Sequence, residues 1–160
     1  MEVSEKDSRP LFSLALATAF GIGYVPVAPG TFGSAVGLLL WFVLPHSAAV
    51  QAAAIVLLFA VGSWSGSVAE RHFRVTDPEP VVIDEVMGML ITLFLNPVGW
   101  VGALGAFLLF RIFDVIKPYP ANRLERLHGG VGVMADDGMA AIYANIALRA
   151  LLAFGDRVIW

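Results

Sequence analysis

Two long stretches of the sequence contain no charged side chain, and they dominate its hydropathy pattern. The first runs from Leu11 to Ala69 and the second from Val86 to Phe110. A water-soluble domain of 160 residues has too much surface to leave stretches of this length without charge. The pattern therefore favours a chain that is at least partly embedded in lipid. A very apolar soluble helical bundle is the alternative.

Prolines, glycines and short polar segments divide the chain into predicted helices. Pro45 and Pro97 stand in turns, because proline removes a helical hydrogen bond and clashes with the preceding turn. Polar connections are predicted at residues 70–80, either as a loop throughout or as a loop with a helical tail, and at residues 119–135. The predicted helices cover residues 11–20, 32 or 33 to 44, 47–68, 81–95, 100–117 and 137–154. The expected fold class is all-α: a compact bundle of about six helices, several short and broken, at least partly membrane-embedded.

The division into domains and the lengths of the helices bear on topology. Residues 1–10 carry mixed charges and are predicted to form a polar N-terminal tail, and residues 11–160 to form a single helical domain.

Only the helix that starts at residue 47 reaches the ~20 apolar residues that a straight bilayer crossing needs. Hairpins that enter and leave the bilayer on one side fit the shorter stretches. Three polar or glycine-rich segments would then emerge on one face, at residues 21–34, 70–85 and 111–137.

Composition excludes several classes of protein. Only 14% of the residues are charged, against about 25% in soluble proteins, and 58% are hydrophobic. The net charge of −3 argues against a basic face that binds nucleic acid. The absence of cysteine rules out disulfides, thiolate zinc sites and a cysteine nucleophile. The three histidines, His46, His72 and His128, do not stand in the arginine- and serine-bearing motifs of phosphatases with a histidine nucleophile.

A pair of adjacent carboxylates interrupts the apolar pattern. Asp84 and Glu85 stand between two apolar runs, with no basic residue near them in sequence. Acids in such a place are costly unless a cation or hydrogen-bond donors compensate their charge. A metal ion that prefers oxygen ligands is one explanation. A pair at the start of a helix, stabilised by the helix dipole, is the other.

Charged residues recur where the next apolar stretch ends. Arg111, Asp114 and Lys117 are spaced three apart, so we expect them to share about one face of a helix. Two cations and one acid at the membrane interface suit a phosphate group with its metal ion, and an intrahelical salt bridge is the alternative. Asp136 and Asp137 precede the predicted last helix, where one can cap the helix and the other bind metal.

A glycine-rich segment opens the predicted second helix. Residues 30–34 offer backbone N–H groups at a helix N-terminus, which is a favourable place for a phosphate. The glycines in this segment allow close approach of a ligand to the backbone. Thr31 and Ser34 are therefore candidate phosphate-binding residues.

Four blocks of the sequence, taken together, resemble the phosphatidylglycerophosphatase A family. They are PGTFGS at 29–34, VIDEVMGM at 82–89, FRIFDVIKP at 110–118 and HGGVGVMADD at 128–137. The resemblance lies in the order and spacing of these blocks and covers roughly residues 12–148. It implies an all-helical enzyme that uses Mg²⁺ to hydrolyse phosphatidylglycerophosphate to phosphatidylglycerol and phosphate, a step of phospholipid biosynthesis. It also implies the bacterial inner membrane, with the active site on the cytoplasmic side.

The resulting hypothesis gives each candidate residue a role. The Mg²⁺ ligands are expected among Asp84, Glu85, Asp114, Asp136 and Asp137. The residues expected to take part directly in catalysis are Asp84, Glu85, Asp114 and Asp137. The phosphate group is expected to contact Arg111, Lys117, Thr31 and Ser34. Two mechanisms fit this set of residues: water attacks the phosphate directly, or an aspartate is first phosphorylated. No role is assigned to Glu70, Asp77 or His128.

Two other functions fit parts of the pattern. The first is a metal-dependent phosphatase that acts on another lipid or on a soluble phosphate ester. The second is a small membrane transporter whose intramembrane acids form an ion path. The acids cluster beside Arg111 and Lys117, near the ends of the apolar runs, which argues against transport. The expected partners are the lipid substrate and membrane lipids, and no oligomeric state is predicted.

Overall fold

The computed structural model describes residues 8–124 and 126–155, and every regular element in this part of the chain is helical. The α-helices are α1 (Ser8–Ala17), α2 (Pro29–Val43), α3 (Ala48–Phe73), α4 (Ile83–Leu93), α5 (Trp100–Ile116), α6 (Ala121–Leu124) and α7 (Gly130–Gly155), and a 3-10 turn covers Ile22–Tyr24. The all-α prediction is confirmed. Of the predicted polar tail, residues 1–7 lie outside the described residues, and residues 8–10 begin α1.

The third helix extends beyond residue 68, which agrees with the alternative of a helical tail in the polar segment. α3 continues through Glu70 to Phe73, into the predicted polar connection, and ends at Arg74, whose φ is +58°. No proline interrupts this stretch, and the basic Arg71 in the last turn interacts favourably with the helix dipole. The polar residues from Glu70 onward therefore show that the helix leaves its apolar surroundings, and they do not show that the helix ends.

The last helix begins at Gly130, well before its predicted start at residue 137. Gly130 packs directly on α3, since a Cβ atom at this position would lie 2.7 Å from the backbone nitrogen of Ser67. The glycine run that resembles a connection is therefore a close contact between two helices. Asp136 and Asp137 lie in the second turn of α7, so the prediction that one of them caps this helix is wrong.

Helix α4 lies at the centre of the bundle. Nine of its eleven residues are buried, and it packs against α2, α3, α5 and α7. Leu90 and Leu93 join Phe110 of α5 in the main apolar core. A helix that is apolar on nearly all sides is expected in such a position. Asp84 and Glu85 stand in its first turn and therefore lie inside the bundle. On a helix at the surface, the same two acids would face solvent.

Small residues allow α2 to lie directly against α4. Gly30, Gly33, Ser34 and Gly37 recur on one face of α2, and all four are buried. A Cβ atom at Gly37 would lie 2.6 Å from the carbonyl oxygen of Val86. Small residues that permit close backbone contact stabilise helix pairs in lipid. The same contact brings the first turn of α2 next to the first turn of α4.

We expect Gly37→Ala to destabilise the protein by roughly 1–3 kcal/mol, because the added methyl group overlaps the backbone of α4. Gly105→Ala is the matched control. Gly105 lies within α5 with open space around it, so alanine there is expected to be neutral or stabilising by up to about 1 kcal/mol. Thermal unfolding of both variants in one detergent measures the difference, and equal unfolding temperatures would contradict the close packing of α2 on α4.

Two helices, α3 and α7, are long and apolar enough to cross a bilayer. The sequence pattern predicts only the first, because the predicted last helix starts too late to reach this length. α5 is shorter, but it exposes large apolar side chains along one face: Val101, Leu104, Leu108, Ile112 and Val115. Exposed apolar faces of this kind suit contact with lipid. These features favour association of the protein with a membrane.

Candidate functional site

Four helices converge where the candidate residues lie. The first turns of α2 and α4 meet the end of α5 and the second turn of α7. Carboxylate oxygens of Asp84, Glu85 and Asp137 lie within 4.8 Å of one another, and we call these three residues the acid triad. Two members come from α4 and the third from α7. The triad therefore exists only in the folded chain.

The acid triad contains oxygen atoms without a partner. One oxygen of each member, Asp84 Oδ1, Glu85 Oε2 and Asp137 Oδ2, is buried and has no hydrogen-bond partner among the described residues. Burial of an unpaired polar atom is costly, and burial of an unpaired charge is more so. Hard divalent cations prefer carboxylate oxygens and can satisfy several of them at once. The triad fits such a cation.

Burial changes the acidity of the two carboxyl groups on α4. Desolvation raises the pKa of Asp84 well above its usual value, and the charges of Glu85 and Asp137 raise it further. Desolvation also raises the pKa of Glu85 to about 7, against the opposing effects of its hydrogen bond with Asp84 and the charge of Arg111. Both shifts express the cost of negative charge in this place. A cation bound at the triad would reduce that cost.

Arg111 contacts three groups of the site. Its guanidinium lies 2.5 Å from Asp114 Oδ2 and 3.9 Å from Glu85 Oε1. It also donates a 3.4 Å hydrogen bond to Ser34 Oγ. A guanidinium holds several acceptors in a fixed geometry. Arg111 therefore joins α5 to α4 and α2, and it places a fixed positive charge beside the acid triad.

Lys117 provides the second positive charge. It follows the last residue of α5 with φ +44°, so the prediction that it shares a helix face with Arg111 and Asp114 is wrong. Its ammonium pairs with Asp136 and lies 3.8 Å from Asp137 Oδ1. Burial lowers the pKa of Lys117, but the hydrogen bond to Asp136 and the nearby acids raise it by more, so the pKa lies above its usual value. The ammonium group therefore stays charged.

Asp114 and Asp136 border the acid triad, and each pairs with a basic side chain. Asp114 contacts Arg111, whereas Asp136 contacts Lys117 and accepts a 2.9 Å hydrogen bond from the backbone N–H of Asp137. Counting only residues that the structure describes, five carboxyl groups thus face two basic groups, which leaves an excess of three negative charges when all are ionised. That excess favours a divalent cation. Direct metal binding by Asp114 and Asp136 stays a prediction.

The two candidate phosphate-binding residues on α2 are placed differently. Ser34 is fully buried, and its hydroxyl donates to the carbonyl oxygen of Gly30 at 2.8 Å while accepting from Arg111. Thr31 is half-buried at the start of the helix, and its backbone N–H already donates within a turn. α2 begins at Pro29, earlier than predicted, which places Ser34 in the second turn, where backbone N–H groups bond within the helix. Phosphate binding by Thr31 and Ser34 stays a prediction.

Glu70 supports the site, and sequence reasoning assigns it no role. Its carboxylate accepts hydrogen bonds from the backbone N–H groups of Asp77 at 3.2 Å and of Gly129 at 2.8 Å. It thereby ties the end of α3 to the segments that precede α4 and α7, the two helices that carry the acid triad. The bond to Gly129 joins residues 59 positions apart, so no local pattern indicates it. The one signal in the sequence is that Glu70 is the first charge after the long uncharged stretch.

Glu70→Ala is expected to lower the free energy of unfolding by roughly 1–3 kcal/mol, because two backbone N–H groups lose their acceptor. The phosphate hydrolysis that the sequence resemblance implies should become slower as well, since α4 and α7 lose a shared anchor. Glu79→Ala, at an exposed position in the same connection, should change neither quantity. Thermal unfolding and initial rates of phosphate release check this. The anchoring role fails if the two variants behave alike.

Buried acids between two fixed cations, at one end of an apolar helical bundle, are suited to a phosphate ester. The protein is a phosphoric monoester hydrolase, and comparison with known proteins gives its family. The chain belongs to the phosphatidylglycerophosphatase A family, whose model matches residues 15–152. This confirms the resemblance carried by the four sequence blocks.

Three relatives align with most of the chain. A protein of Bacteroides thetaiotaomicron named "Putative phosphatidylinositol-3-phosphatase" is 39% identical over 151 residues, covering 88% of this chain and 94% of the relative. The "Phosphatidylglycerophosphatase A" of Haemophilus influenzae is 39% identical over 140 residues, covering 85% and 86%. The protein of the same name from Escherichia coli is 34% identical over 130 residues, covering 79% and 76%. No solved structure is significantly similar to the chain.

Proposed function

We propose that the protein removes the terminal phosphate of phosphatidylglycerophosphate, giving phosphatidylglycerol and inorganic phosphate in phospholipid biosynthesis. The observation that carries this proposal is the acid triad between Arg111 and Lys117, in which three oxygens have no hydrogen-bond partner within residues 8–124 and 126–155. Family membership and the names of two relatives support the choice of lipid. The proposed location is the bacterial inner membrane, with the site on the cytoplasmic side, and the two apolar helices support a membrane setting.

The proposed cofactor is Mg²⁺, held by the acid triad with Asp114 and Asp136 as candidate further ligands. The donor set supports this choice, because carboxylates without thiol or imidazole suit Mg²⁺ better than zinc or copper. When bound, Mg²⁺ polarises the phosphoryl group and lowers the pKa of a coordinated water.

Arg111 and Lys117 are proposed to neutralise the phosphate oxygens of the substrate. Each is already paired with an acid of the protein, so its charge is in place before substrate arrives. Positive charge that is fixed in advance stabilises the charge that develops in the transition state without reorganisation. In this arrangement Asp114 holds Arg111 in position, and Asp136 holds Lys117.

The name of the Bacteroides relative favours a second candidate substrate, phosphatidylinositol 3-phosphate. This lipid and phosphatidylglycerophosphate both present a phosphomonoester on a head group above a diacylglycerol anchor. The same triad and the same two cations would serve for either. The difference between the two candidates lies in the size and the hydroxyl groups of the head group.

The test is phosphate release by the purified protein in detergent micelles with Mg²⁺, with EDTA as the control. Dioleoyl phosphatidylglycerophosphate, dioleoyl phosphatidylinositol 3-phosphate and glycerol 3-phosphate are compared at equal concentration. The proposal expects the highest kcat/KM with phosphatidylglycerophosphate and no release in EDTA. A higher kcat/KM with the inositol lipid would support the second candidate. Equal rates with glycerol 3-phosphate would contradict a lipid substrate.

A further inference from the structure

An apolar groove of about 420 Å³ lies between α3, α4, α7 and the short helix α6. All eleven of its lining residues are apolar, among them Phe59 of α3, Met87 and Ile91 of α4, and Gly138 and Ile142 of α7. None of these lining residues, all from the part of the chain that the structure describes, has a charged or hydrogen-bonding side chain. It is therefore suited to a hydrocarbon chain and not to a polar group.

Two of the helices that line the groove, α4 and α7, also carry the acid triad. Met87 lies one turn after Asp84 on α4, and Gly138 directly follows Asp137 on α7. A Cβ atom at Gly138 would lie 3.6 Å from Met87 Cε and 3.9 Å from the terminal carbon of Ile91. The missing side chain at Gly138 thus keeps the groove open where it meets the site. A chain in the groove would therefore lie close to a head-group phosphate at the triad, since residues of both sites are neighbours on α4 and on α7.

The groove runs along α7 from Met134 to Ile142, and the part beyond Asp137 extends in the direction in which this helix continues as a candidate membrane span. From Asp137 to Ile142 the helix rises about 7.5 Å, at ~1.5 Å per residue. Ile142 is 45% exposed and Phe59 39% exposed, so the groove is open on its outer side. A chain can therefore enter sideways from the lipid, without threading through the bundle.

We infer that this groove holds one acyl chain of the phospholipid substrate while its phosphate lies at the acid triad. The inference rests on the proposed function. Lipid tails are as apolar as the groove, so moving a chain from bilayer to groove gains little free energy. The benefit is positional, because a held chain fixes the depth and orientation of the phosphomonoester relative to Arg111 and the triad.

The test compares long-chain with short-chain substrate in variants that fill the groove. Gly138→Leu places a branched side chain against Met87 and Ile91, and Ile142→Trp narrows the outer part of the groove. Leu108→Trp is the control, since Leu108 is 61% exposed on α5 and does not line the groove. Thermal unfolding of each variant in the same detergent shows which of them are folded.

We expect the ratio of kcat/KM for dioleoyl over dibutyryl phosphatidylglycerophosphate to fall about tenfold or more in the folded groove variants. The ratio in Leu108→Trp should equal that of the wild type. An unchanged ratio in both groove variants would overturn the inference. A wild-type protein that releases no phosphate from either chain length would instead contradict the proposed substrate. The same pair of chain lengths on phosphatidylinositol 3-phosphate would then decide the role of the groove.

Discussion

Asp84→Asn is expected to lower the rate of phosphate release by about 10³-fold or more. Asparagine keeps the size of the side chain, so the packing of α4 is preserved while one charge of the acid triad is lost. Asp84 is buried, and one of its oxygens has no hydrogen-bond partner among the described residues, so its carboxylate is available to a cation. Asp137→Asn is expected to cause a loss of the same order, because Asp137 belongs to the same triad, is also buried and also carries an oxygen without a hydrogen-bond partner among the described residues.

The comparison within this series separates metal binding from positioning. Asp114→Asn should cost less than Asp84→Asn, because Asp114 pairs with Arg111 and an asparagine oxygen can still accept from it. Glu79→Gln removes an exposed acid and serves as the control, with a rate within about twofold of the wild type. Near-wild-type rates in all three aspartate variants, in folded protein, would refute the proposed site.

Arg111→Lys is the second change with a large expected effect, a loss of about 10²-fold that falls mainly on kcat. The substitution keeps the positive charge, so the buried acids stay compensated and the fold should persist. Lysine offers a single point charge and cannot hold Asp114, Glu85 and Ser34 in the fixed geometry of a guanidinium. Phosphate-release kinetics over a range of substrate concentrations separate kcat from KM.

Arg149→Lys is the matched control for this prediction. Arg149 is exposed on α7 and contacts Asn145 and the end of α4, far along the helix from the acid triad. Lysine at this position should leave kcat within about twofold of the wild type. Equal losses in the two variants would mean that Arg111 has no special role, and that arginine-to-lysine exchange affects only general stability.

The apolar pattern predicts most of the fold because uncharged stretches and prolines mark helices and turns directly. The errors fall where tertiary contacts override local signals. The glycines before residue 137 favour a connection by composition, but Gly130 lies against α3, and this contact extends α7 by two turns. α3 likewise runs through Glu70, whose hydrogen-bond partners come from segments that the local pattern cannot reveal.

For the candidate site, too, local sequence signals predict one part and tertiary contacts determine the rest. The hairpin argument predicts that residues 21–34, 70–85 and 111–137 meet, and the structure places Asp84, Glu85 and Asp137 together from two of these segments. The pair of Arg111 with Asp114 follows from their spacing of three residues. The pair of Lys117 with Asp136 is not predictable, because Lys117 leaves the helical spacing at the end of α5. Spacing along one helix fixes neighbours on that helix, whereas partners across helices depend on packing.

The central claim is that the acid triad binds a divalent cation, and Mn²⁺ binding followed by electron paramagnetic resonance tests it most directly. Mn²⁺ takes the same oxygen ligands as Mg²⁺ and reports free and bound ion separately. We predict that wild-type protein binds Mn²⁺, that Mg²⁺ displaces it, and that Asp137→Asn weakens binding by about tenfold or more. Equal Mn²⁺ affinity in wild type and Asp137→Asn, with both proteins folded, would contradict the account.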